Sequence, residues 1–60
     1  MKAKVMGYNE FKNKTFSYEL LNVVAVMQIM DKITIQYVDD NEMLQTATYS
    51  ADSVKIVIEN

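Results

Sequence analysis

Sixty residues with a formal net charge of −2 make one small domain, residues 1–60, without the basic surplus that draws a protein to nucleic acid. The chain has no Cys and no His, which excludes a disulfide staple, a thiol or imidazole catalytic pair and a structural zinc site. Half of the residues are apolar, which excludes a disordered chain.

A domain this short buries only roughly 60% of the surface its unfolded chain exposes, so it needs support. With disulfide and zinc excluded, close packing or association with a partner remains. The start Met1-Lys2-Ala3-Lys4 lacks a signal peptide's apolar stretch. No run reaches the roughly 20 apolar residues of a membrane helix, so a cytoplasmic protein without membrane contact is expected. All six cations are Lys, and Arg, the preferred residue for bidentate base and phosphate contacts, is missing. The skew toward Lys, Asn, Ile, Tyr and Met, residues with AT-rich codons, suggests a low-GC bacterium or one of its phages.

Residues 2–8 alternate, with Ala3, Val5 and Gly7 on one side of a strand. Gly7 is the only glycine and marks a bulge or a close backbone approach. The polar break at residues 9–14 contains Phe11, which either folds back as a lid on the core or stands out as an anchor for a partner. Residues 15–20 alternate with Phe16, Tyr18 and Leu20 together.

Residues 21–30 are the most informative stretch. As a strand they place Leu21, Val23, Ala25, Met27 and Ile29 on one wholly apolar side, the expected core face. The other side carries Asn22, Val24, Val26, Gln28 and Met30, more apolar than water-facing residues need to be, so a partner is expected to cover it. A helix over residues 16–27 is the competing assignment, on Phe16, Leu20, Val23, Val24 and Met27; the valines count against it.

Asp31 and Lys32 break the pattern before residues 33–38, where Ile33, Ile35 and Tyr37 share a side. Directly paired residues share a face, so keeping the apolar sets together requires an odd-length turn or a bulge at residues 30–33. Asp39, Asp40, Asn41 and Glu42 gather oxygen donors but lack the glycine and spacing of a calcium loop, and read as a solvated tip. Residues 43–49 form another strand. Ser50 to Ser53 form a polar stop with one 3₁₀ turn, and residues 54–58 place Val54, Ile56 and Ile58 inward.

The expected fold is all-β: a small five-stranded SH3-like barrel or a strongly twisted antiparallel sheet, with a short 3₁₀ turn before the last strand. The order of strands and turns resembles an SH3-like barrel over the whole chain, in architecture alone. The acidic and aromatic peptide-binding motif of SH3 domains is absent, and there is no Trp.

No nucleophile has a base at motif spacing, and there is no glycine-rich elbow or phosphate loop, so no enzyme, cofactor or small-molecule substrate is expected. The expected function is a protein-interaction module that associates with itself as a homodimer or higher assembly. A phage or mobile-element accessory protein that binds a host protein is one setting. Its contact residues are Val24, Val26, Met30 and Phe11. The alternatives are a structural subunit of a larger assembly and a small barrel that holds nucleic acid. The latter would use Lys2, Lys4, Lys12 and Lys14 with the aromatics interleaved among them.

Overall fold

A computed structural model describes residues Met1–Asn60. The chain forms six strands and no helix: β1 (Lys2–Asn9), β2 (Lys14–Leu20), β3 (Val23–Ile29), β4 (Lys32–Val38), β5 (Leu44–Ser50) and β6 (Val54–Glu59). They make two antiparallel sheets, ordered β2-β1-β6 and β3-β4-β5. The expected five strands are therefore six, and the sheets do not close into a barrel. The competing helix over residues 16–27 is two strands split at Leu21 and Asn22, where Asn22 takes a φ of 54° that Asn tolerates better than a branched residue. No helix is long and apolar enough to cross a membrane.

In the first sheet the alternation sets the faces. β1 pairs Ala3 with Leu20 and Ile58, Val5 with Tyr18 and Ile56, and Gly7 with Phe16 and Val54. These residues share one face and look toward the second sheet. Ala3, Val5, Val23 and Ile35 are the buried residues, and Leu20, Ile33, Tyr37, Tyr49 and Ile56 pack around Ala3, Val23 and Ile35. The sheets also meet through polar groups. The hydroxyls of Tyr18 and Tyr49 share a 2.7 Å hydrogen bond, and Val23 N donates to Met1 O at 2.8 Å.

Gly7 lies in an unbroken register, so it marks a close approach and not a bulge. A Cβ there would stand 2.5 Å from Cζ of Phe16 and 3.2 Å from the carbonyl oxygen of Ser53. The Phe16 ring lies over the glycine and stacks beside Tyr18, its neighbour two residues along the strand, with ring centres 6.0 Å apart.

The second sheet corrects the expected faces of β3. Its turn to β4 is not odd-length: Ile29 pairs with Lys32 across a two-residue loop, Met30 and Asp31. Met30 takes a φ of 55°, a conformation normally left to Gly or Asn. The parity change falls instead near the start of β3, six residues before that loop, at a bulge between Val23 and Ala25. There Val23 and the extra residue Val24 oppose Tyr37. Beyond the bulge the two sides exchange roles. Val26 pairs with Ile35 and Gln28 with Ile33, so these face the core side. Ala25, Met27 and Ile29 pair with Gln36, Thr34 and Lys32, on the outer face. The apolar side expected inside is inside only at Val23.

Asparagine and aspartate shape the loops. Oδ1 of Asn9 accepts from the backbone N–H groups of Phe11 and Lys12 at 3.0 and 3.1 Å, which bends the β1–β2 hairpin, and Asn13 there has a φ of 52°. Oδ1 of Asp39 accepts from Asn41 N and Met43 N at 2.9 Å each, and Oδ2 accepts from Nε2 of Gln45 at 2.8 Å. Between β5 and β6 the expected 3₁₀ turn is a plain turn over residues 51–53, closed by one bond from Ser53 N to Ser50 O at 3.1 Å.

Candidate protein-interaction surface

The open edge of the second sheet at β3 carries the largest run of exposed apolar side chains. Val24 is 56% exposed, Met27 56%, Ile29 64% and Met30 90%, and Val26, though turned to the core side, is 41% exposed because no strand lies beyond it. β3 has no charged residue. Edge strands are normally blunted by Lys, Pro, inward charges or bulges. β2 and β6 obey that rule through Lys14, Glu19, Lys55 and Glu59. β3 has only its bulge, which lies at one end and leaves Ala25 to Ile29 straight and uncharged.

The backbone of that edge is open in a definite pattern. A two-residue turn makes its flanking residues exchange both backbone hydrogen bonds. Ile29 and Lys32 flank the turn, so Ile29, Met27 and Ala25 aim their N–H and C=O groups at β4. Val26 and Gln28 aim theirs away from the sheet, where no strand of the chain pairs with them.

The four residues expected to contact a partner do not form one face. Val24 sits in the bulge, Val26 on the core side, and Met30 on the turn. Phe11 is fully exposed at the tip of the β1–β2 hairpin, so it is displayed and is not a lid. Met27 and Ile29 belong to the exposed run, and sequence reasoning had set them inside. The only signal that could have exposed them was the parity conflict with Ile33 and Ile35. That conflict demanded one extra residue somewhere, and nothing in Val23-Val24-Ala25 marks the place.

The lysines and aromatics of the first third separate only in part: Tyr8 shares the outer face with Lys2 and Lys4, Phe11 and Lys12 share the hairpin, and Lys14 lies on the face of Phe16 and Tyr18. Lys2 and Lys4 alternate with Ala3 and Val5 and therefore lie on the outer face of the first sheet, whereas Phe16 and Tyr18 lie on the inner face. Lys2 is held between Glu19 at 3.2 Å and Glu59 at 3.5 Å, and its ammonium is pushed above the usual lysine range first by the hydrogen bond to Glu19. Lys12 and Lys14 are on the hairpin, where the hydroxyl of Tyr8 donates to Oδ1 of Asn13.

Two open clefts flank the molecule. One, of about 550 Å³, lies between the β1–β2 hairpin and the β5–β6 turn and is lined by Tyr8, Phe11, Phe16 and Asp52 among others. Asp52 there accepts from the Ser50 hydroxyl, which holds its carboxyl below the usual range. The other, of about 260 Å³, lies where the chain crosses between sheets, beside Glu19, Asp39 and Asp40. Asp39 is held low first by the backbone bond from Met43, so its carboxylate is committed to its own loop. No group of three or more carboxylates gathers as a metal site. Comparison of the chain with protein-family models, curated proteins and solved structures finds no match.

Proposed function

We propose that this chain is a non-catalytic protein-interaction module, self-associating, that works through the β3 edge of its second sheet. The observation that carries the reading is the uncharged β3 strand, whose outer edge no strand pairs, with Val24, Met27 and Ile29 exposed along it and Met30 exposed in the turn that follows. Strand addition to such an edge gives affinity through backbone bonds and specificity through alternate side chains. Phe11 offers a second, separate anchor at the opposite hairpin.

The reading extends to architecture and setting. β2 and β3 follow each other with only Leu21 and Asn22 between them, and counted as one bent strand they give the five-strand order of an SH3-like small barrel. A phage or mobile-element accessory protein, acting in the cytoplasm on a host protein, fits the size and the AT-rich codon skew.

The test is solution mass by light scattering over a tenfold dilution series, for the wild-type chain and for Ile29→Lys. The expected result is a mass above the monomer for the wild type and a monomer for Ile29→Lys, with the β circular-dichroism signal kept. Val57→Lys, on the outer face of the first sheet, should leave the mass unchanged. A monomeric wild type, or association that Ile29→Lys leaves intact, overturns the reading. Binding of a single-stranded oligonucleotide that falls steeply with salt would put the nucleic-acid alternative in its place.

A further inference from the structure

We infer that the partner of the β3 edge is the β3 edge of a second copy, paired antiparallel about a two-fold axis through Met27. This rests on the module reading above and names its partner and register.

Self-pairing demands a strand that does not repel itself. Like charges directly opposite are destabilising, and β3 carries none. Two copies of one edge related by a two-fold axis must run antiparallel, and each contact occurs twice. The register follows from the backbone. Val26 and Gln28 hold the outward N–H and C=O groups. Placing Val26 opposite Gln28 of the second copy, and Gln28 opposite Val26, pairs every one of those groups. Shifting the axis to Val26 would set Gln28 against Val24, whose backbone is displaced in the bulge.

The same register sorts the side chains. On the outer face Met27 meets Met27, and Ala25 meets Ile29, a small residue against a large one. Met is unbranched and fits itself to irregular surfaces. Val24, Val26, Met27, Ile29 and Met30 retain on the order of 80 Å² of open apolar surface each, so with the edge backbone two copies have at most roughly 1,000 Å² to cover, the lower bound for a specific contact. The other uncharged edge, β5, lacks this: Thr46 and Thr48 occupy its outer face, and Leu44 at its end is its one exposed large apolar residue.

The natural chain has no Cys, so one introduced thiol reports one contact. Met27 of each copy would occupy a non-hydrogen-bonded pair, with Cα atoms about 4.5 Å apart, within the span of a disulfide. Met27→Cys under mild oxidation is expected to give mostly covalent dimer, and Thr48→Cys is expected to stay monomeric on a denaturing gel. Light scattering of both reduced variants shows whether they still associate, and circular dichroism whether they fold. A folded Met27→Cys chain that associates but does not cross-link overturns this pairing and leaves the module reading standing. Equal cross-linking of Thr48→Cys also overturns it. A wild-type chain that stays monomeric through the dilution series overturns both.

Discussion

Gly7 shows how one residue fixes the aromatic arrangement around it. Its missing side chain is the space that the Phe16 ring fills, with a Cβ position only 2.5 Å from the ring edge. Gly7→Ala would push the ring or bend β1, and overpacking of this kind costs about 1–3 kcal/mol. Urea unfolding of Gly7→Ala, Phe16→Leu and the double variant should show the double variant losing less than the sum of the singles. A sum that holds would mean that the contact is relaxed at no cost. The sequence left the lone glycine as either a bulge or a close approach; neither the choice between them nor the ring that approaches was legible, because the contact is set by the register of β1 on β2.

At the scale of elements, β3 carries the main lesson. Alternation in residues 21–30 correctly indicated a strand. It also assigned Met27 and Ile29 to the core, and the bulge at Val24 turned them out. An inserted residue changes the parity of everything after it, and no residue type marks it here. The two sheets are held together by Tyr18 and Tyr49 as well as by apolar packing. Tyr49 is pushed above the usual tyrosine range, first by burial and then by its hydrogen bond with Tyr18. The folded chain therefore keeps the Tyr49 proton to higher pH than the unfolded chain does. The stability tied to it is complete below the unfolded value of about 10 and declines as pH rises toward the folded value. Denaturant midpoints should fall above pH 10. Phenolate absorbance of Tyr18→Phe should show Tyr49 ionising at lower pH than in the wild type, yet still above a free tyrosine, because burial remains. An unchanged titration would remove the hydrogen bond as a cause.

For the whole molecule the small core sets the behaviour. Four residues are buried, and two sheets of three strands leave four edges. A partner that binds only the folded chain stabilises it by mass action. The thermal midpoint should rise over a hundredfold increase in chain concentration, and Met27→Lys should abolish that rise while keeping a folded monomer. A midpoint independent of concentration in the wild type would mean that the domain stands without its second copy.

By itself the sequence determined the all-β class, the positions of the strands and most of the breaks between them. Those depend on local alternation and on the Asn and Asp residues that accept turn geometry. It also separated Lys2 and Lys4 from Ala3 and Val5, since neighbours on a strand face opposite ways. Only the tertiary structure decided which apolar stretch faces water. Local pattern gives each strand two faces, but the bulge and the pairing of Val26 with Ile35 choose between them, and that choice is made by a neighbouring strand and not by the residues themselves.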